Sequence, residues 1–217
     1  MGVKYLVNAA YIAALCVLLT GCGNSANADS KYQQNNMNRK ILVVVDLQKD
    51  FIDGNLAIPN GADIVPYIDS IKHQFDQVWF TLDWHPANHC SFTEQGGIWP
   101  VHCLHYSLGA SIPDVIMDGL DTPDLRFITK AENPEIEEYG AFKDIEPDND
   151  DWFLPGDSVV VCGIASEYCV LETLQNIIKL RDSKGFSVSV YMKGCGCFET
   201  QEPLLGYMRE HNIPEYK

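Results

Sequence analysis

Positive charge is scarce in this chain: 15 lysines and arginines stand against 30 aspartates and glutamates, a formal net charge of −15. Such an acidic surface repels phosphate backbones and anionic headgroups, which disfavours nucleic-acid and anionic-membrane binding. There is no glycine-rich phosphate fingerprint and no internal repeat, so a nucleotide-binding reading is weak. The acidic run from Asp144 to Asp157 lacks the spacing and closing glutamate of an EF-hand and reads as a solvated loop. No H-x-E with a later P-C-x-x-C occurs, which disfavours a zinc nucleobase deaminase.

Long apolar runs are missing too. Ala9 to Leu19 is apolar but falls short of the roughly 18 residues a membrane span needs; after Lys4 it reads as the core of an export signal. Leu19-Thr20-Gly21-Cys22 resembles the lipobox of bacterial lipoproteins. Residues 1–21 are therefore expected to be removed and Cys22 lipidated, and loss of the single positive charge on Lys4 takes the net charge from −15 to −16. The expected location is the cell envelope, facing the periplasm or the outer surface, with this anchor as the sole membrane contact. Residues 22–40, rich in Asn, Ser and Gln, read as a tether that buries no core. Residues 41–217 are enough for one domain. Six cysteines remain there, Cys90, Cys103, Cys162, Cys169, Cys195 and Cys197, too sparse for a disulfide scaffold, and the sequence does not decide their pairing.

Within the domain, Ile41 to Asp46 and Ser158 to Gly163 are continuous apolar runs of the kind found in central parallel strands. Gln77 to Asp83, Leu125 to Lys130 and Phe186 to Met192 read as further strands. Ala62 to Phe75, Glu167 to Arg181 and Glu199 to His211 read as helices. The alternation predicts a doubly wound α/β domain with a mostly parallel sheet, in which ligands bind beyond the carboxyl ends of the strands. Asp46, Asp83, Lys130 and Cys169 end or follow four of these strands and should converge there.

Two segments carry chemistry. DWHPANHCSFTEQGGIWPVHCLH holds four of the six histidines, His85, His89, His102 and His105, just after Asp83. Asp83 and His85, two apart, project to one side of a strand end, and His102 can return to close a facial set suited to zinc, iron or manganese. Scattered surface histidines are the competing reading, which leaves the clustering unexplained. VVVCGIASEYCV turns a buried strand through Gly163 into a helix. Ser166 is the expected N-cap, and Cys169 should sit about three residues inside, where free N–H groups and the helix dipole favour a thiolate and can hold an oxyanion. A buried structural cysteine fits the same segment. Asp46 could exchange the thiol proton, and Lys130 could steady negative charge.

VDLQKDFIDGNLAIPNGADIV, ITKAENPEIEEYGAF and GIASEYCV resemble the isochorismatase-like cysteine hydrolases, with Asp46, Lys130 and Cys169 at the catalytic positions. DWHPANHCSF followed by WPVHC resembles the nicotinamidase/pyrazinamidase subfamily. The resemblance implies a Rossmann-like three-layer α/β/α domain with a mostly parallel six-stranded sheet, and hydrolysis of nicotinamide to nicotinate and ammonia through a thioester. It also implies one divalent metal, zinc foremost, with iron or manganese as alternatives, on Asp83, His85 and His102; His89 is a conditional neighbour. A cis peptide between Ile164 and Ala165 is implied, aiming the N–H groups of Ala165 and Cys169 at the substrate oxygen, with Phe51, Trp99 and Tyr139 around the ring. The chain departs from the family at Ala131, Gly140, Ser166 and Glu167, and at Leu104 and His105. These differences leave room for another amide or ureido substrate, or for a metal- or solute-binding lipoprotein without catalysis. Metal identity and homo-oligomerisation stay open.

Overall fold

The structure is a computed structural model that describes residues 38–120, 125–145 and 152–217. The expected export signal, lipidated Cys22 and most of the tether lie outside the described residues, as does the middle of the acidic run. Among the described residues no helix is long and apolar enough to cross a membrane.

Five strands form an all-parallel sheet: β1 Lys40–Val45, β2 Gln77–Asp83, β3 Leu125–Lys130, β4 Ser158–Gly163 and β5 Ser187–Cys195, in the order β3-β2-β1-β4-β5. β1 lies at the centre, and Ile41 to Val45 have no exposed surface on either face, the burial that their unbroken apolar run predicts. The helices are α1 Lys49–Ile52, α2 Gly61–Ile71, α3 Asp114–Met117, α4 Cys169–Lys184 and α5 Glu202–Glu210. α2 buries Ile64, Ile68 and Ile71 and α4 buries Val170, Leu174, Ile177 and Ile178, the i, i+4, i+7 stripe of a core-facing helix. The fold is doubly wound α/β.

Three predicted strands coincide with the observed ones, and two expectations need correction. The sheet has five strands among the described residues where six are implied. Beyond the outer edge of β5, pairing is reduced to one bridge between Val190 and Glu215, next to Pro214, which has no N–H to continue a ladder. Ser166 does not cap α4: its hydroxyl donates to the Gly196 carbonyl at 2.8 Å, and the cap position is Tyr168.

Strand order reverses between β1 and β4, so the crevice beyond their carboxyl ends is the topological switch point. Asp46 leaves β1 on one side of it and Gly163 leaves β4 on the other, with Val45 and Gly163 in register. Gly163 has a φ of 125°, and a Cβ there would fall 2.0 Å from the Val45 carbonyl oxygen, so only glycine lets the chain turn toward Cys169.

Candidate active site

Strand ends deliver Asp46, Asp83 and Lys130, and the start of α4 delivers Cys169. Asp46, first beyond β1, is wholly buried; its Oδ1 accepts the Thr81 hydroxyl at 2.6 Å. Its Oδ2 lies 2.9 Å from Lys130 Nζ in an ion pair. Lys130 and Asp83 are register partners at the ends of β3 and β2. The Lys130 ammonium also donates to Asp83 Oδ1 and lies 3.6 Å from Cys169 Sγ. Reactive atoms of Asp46, Asp83 and Cys169 all fall within 4.8 Å of one another. That grouping resembles a cation site, and the Lys130 ammonium is the cation that fills it.

Charge in this knot follows from burial and pairing. Burial alone would strip the proton from Lys130, but Asp46 and Asp83 together hold its pKa well above the ordinary lysine range, so it stays an ammonium. Burial pushes Asp83 up, yet Lys130 with His102 and His85 outweighs it and holds the carboxyl well below the usual range. Asp46 is raised by burial against the pull of Lys130, with the Asp83 charge adding to the rise. Burial raises the Cys169 thiol well above its ordinary value, with Asp46 and Asp83 offsetting the help from Lys130. Burial thus works against the thiolate that the helix terminus and Lys130 favour. Cys169 is also the first residue of α4 rather than the third.

The peptide between Ile164 and Ala165 is cis. The Ala165 carbonyl accepts the N–H groups of Tyr168 and Val170 at 3.1 and 3.0 Å, whereas the N–H groups of Ala165 and Cys169 have no acceptor among the described residues. Two unspent donors beside a thiol are the arrangement that an oxyanion site requires.

Asp83 turns its second oxygen away from the lysine. Oδ2 lies 3.6 Å from His85 Nε2 and 3.8 Å from His102 Nε2, and the three ligand atoms form a buried group. Two ligands about 2.1 Å from a tetrahedral ion stand about 3.4 Å apart, close to these separations. The decisive sign is His85, both of whose ring nitrogens are buried without a hydrogen-bond partner. His102 Nδ1 contacts the Pro100 carbonyl at 2.8 Å, which requires the proton on Nδ1 and leaves the Nε2 lone pair free toward Asp83. These residues fit a divalent cation. His89 is spoken for: Nε2 donates to the Ile136 carbonyl at 3.1 Å and Nδ1 accepts the Ser91 hydroxyl at 2.7 Å. Its ring stacks near His85, centroids 4.3 Å apart, as a neighbour of the cluster. His105 stands aside, bonded to the Trp84 carbonyl at 2.5 Å.

Between this cluster and Cys169 opens a recess lined by Phe51, Trp99, Tyr139, Tyr168, Phe198 and Ala165 among others. Trp99 anchors the wall: its indole N–H donates to the Tyr139 hydroxyl at 3.0 Å, and it stacks on Phe198 at 5.5 Å.

No family model matches the chain. The nicotinamidase of Escherichia coli is 32% identical over 182 residues, covering 72% of this chain and 82% of that one. The chain belongs to the isochorismatase-like nicotinamidases. Its structure also resembles the zinc complex of the pyrazinamidase of Pyrococcus horikoshii, at a TM-score of 0.66 and 33% identity over 82% of this chain and 99% of the other. The yeast nicotinamidase bound to the inhibitor nicotinaldehyde matches at a TM-score of 0.68 and 25% identity, over 82% of this chain and all of the other.

In this family member the structure brings together Asp46, Lys130, Cys169, Ala165, Asp83, His85 and His102, with Phe51, Trp99 and Tyr139 on the wall above them. Sequence reasoning missed Leu56, Glu137, Tyr168 and Phe198 as lining residues. Tyr168 and Phe198 follow the ends of β4 and β5, so their place beyond strand ends was the available signal. Glu137 is an exposed carboxylate at the rim of the recess, its pKa raised by partial desolvation and by the charge of Asp83.

Proposed function

We propose that this chain hydrolyses nicotinamide to nicotinate and ammonia through a thioester on Cys169. The observation that carries this reading is Asp83, a single carboxylate shared between the lysine of the nucleophile group and the histidines of the cation cluster. It ties a nucleophile to an anchoring point across a recess walled by aromatic rings. A divalent cation held by Asp83, His85 and His102, zinc foremost, supplies a Lewis-acid contact for the pyridine nitrogen when bound.

Phe51, Trp99 and Tyr139 hold the ring and keep water from its faces. Asp46 takes the thiol proton as the Cys169 sulfur bonds to the carboxamide carbon. The N–H groups of Ala165 and Cys169 take up the charge on the carbonyl oxygen, and Lys130 keeps the surrounding charge balanced. Asp46 then returns the proton to the amide nitrogen as the C–N bond breaks and ammonia leaves. A water, its proton accepted by Asp46, cleaves the thioester and restores the thiol.

The purified protein should release ammonia from nicotinamide, lose that activity when dialysed against a chelator and regain it with zinc. Turnover that survives complete metal removal contradicts the anchoring role, and a metal-loaded protein that releases no ammonia contradicts the substrate.

Asp46→Asn separates activity from stability. A carboxyl group whose folded pKa lies above its ordinary 3.8 contributes stability only while protonated, and loses it as pH rises through the folded value. The variant should show no ammonia release, and the loss of stability that the wild type suffers as pH rises above about 4 should be smaller in it; an unchanged pH dependence of the melting temperature would count against the charge assignment.

A further inference from the structure

The segment that follows β1 does more than supply Asp46. Gln48, two residues on, is fully buried, and its amide grips the Asp83 backbone from both sides. Oε1 accepts the Asp83 N–H at 2.9 Å, while Nε2 donates to the Asp83 carbonyl at 2.8 Å and to the Ala110 carbonyl at 3.0 Å. The side chain thus continues strand pairing along β2 after β1 itself has turned away.

Asp50 is also buried and makes no ion pair among the described residues. Its Oδ2 accepts the N–H of Cys103 at 2.7 Å and its Oδ1 that of Asn55 at 3.1 Å. Cys103 directly follows His102 and has a φ of 44°, a left-handed conformation that needs support in a residue with a side chain. Gly109 closes over the same carboxylate, where a Cβ would fall 2.0 Å from Oδ2. Phe51 packs edge-on against the His102 ring at a centroid distance of 5.4 Å.

A buried carboxylate with only neutral donors is expensive, and a buried amide satisfied wholly by distant backbone is specific. Both are spent on the same cluster: one on the backbone of Asp83, the other on the residue beside His102. We propose that Gln48 and Asp50 are positioning residues for the cation cluster, an inference that rests on Asp83, His85 and His102 holding a divalent metal. Gln48 fixes Asp83 so that Oδ1 stays on Lys130 while Oδ2 faces the histidines. Asp50 fixes the returning turn so that His102 Nε2 arrives opposite that oxygen. Cys169 is carried by β4 and α4, to which neither side chain hydrogen-bonds.

The test compares zinc dissociation constants, by competition with a chromophoric chelator, for the full-length wild type, Gln48→Met, Asp50→Asn and His85→Ala. Gln48→Met keeps the volume and removes all three bonds; Asp50→Asn keeps the shape and stays informative if the first variant does not fold. Each should bind zinc about 10–100-fold more weakly, the range typical of groups that orient metal ligands. The alkylation rate of Cys169 by iodoacetamide in metal-free Asp50→Asn should stay within about twofold of wild type, a readout that general loosening of the domain would move. Zinc affinity within about threefold of wild type in both variants overturns the inference, as does a change in alkylation in Asp50→Asn as large as its change in affinity. If His85→Ala binds zinc as tightly as wild type, the metal cluster itself fails and this inference with it.

Discussion

Cys169→Ala is expected to cut ammonia release from nicotinamide by about 10⁴-fold or more, the scale of loss when an enzyme's covalent nucleophile is removed. Zinc binding should be almost untouched. The division follows from geometry: Cys169 Sγ belongs with Asp46, Asp83 and Lys130, on the side of the recess away from the His85 and His102 nitrogens. No other thiol can substitute. Cys103 is buried with its pKa raised well above the ordinary value by burial and by Asp83, and Cys162 is buried inside β4. The competing mechanism has a cation-activated water attack the amide directly; it predicts that the alanine variant keeps much of its turnover. Measuring ammonia release together with bound zinc in one sample separates the two, and retention of more than about a hundredth of the wild-type rate would reject the thioester route.

Lys130→Met should be the most destabilising single change in the site. The ammonium is buried between two carboxylates and a thiol, and a methionine of similar length removes the charge without leaving a large cavity. What remains is Asp46 and Asp83, two buried acids with oxygens within 4.8 Å and nothing between them to balance their charge. Breaking a buried pair by removing one partner typically costs about 3–5 kcal/mol. For a domain of this size that corresponds to a melting point lower by roughly 10 °C, with activity down by at least about 10²-fold. The loss should shrink at acid pH, where protonation of one carboxyl relieves the repulsion. Thermal unfolding of the metal-free variant across pH checks this; a melting point within a degree or two of wild type at pH 7 would show that Lys130 is not the counter-ion of the site.

The sheet was legible wherever burial is continuous. Ile41 to Val45 and Ser158 to Gly163 read as central strands because both faces are covered, and β2 and β3 end at Asp83 and Lys130 as the sequence predicts. β5 runs past its predicted end at Met192 to Cys195 because Gly194, which reads as a breaker, is needed by the packing: a Cβ there would meet Tyr191 at 2.8 Å and Ile68 at 3.0 Å. The reactive residues were readable because Asp46, Asp83 and Lys130 sit at strand ends and Cys169 opens the helix after β4, all at the carboxyl edge of the sheet. The cap at Ser166 was not, since its hydroxyl is captured by Gly196 from 30 residues away, a competition no local pattern encodes. The work of Gln48 was hidden for the same reason: its partners lie 35 and 62 residues along the chain. Tyr168 and Phe198 escaped because the recess wall is assembled from loops that share no periodicity.

A carboxylate divided between two partners constrains the order in which this sequence can change. Any replacement of Asp83 strips the histidines of their anionic member and Lys130 of half its charge balance in one step, so the penalties of the two losses are paid together rather than separately. A descendant that abandons the cation must therefore first acquire another acid beside Lys130, and one that abandons Lys130 must first neutralise Asp46. Neither half of the site can drift alone.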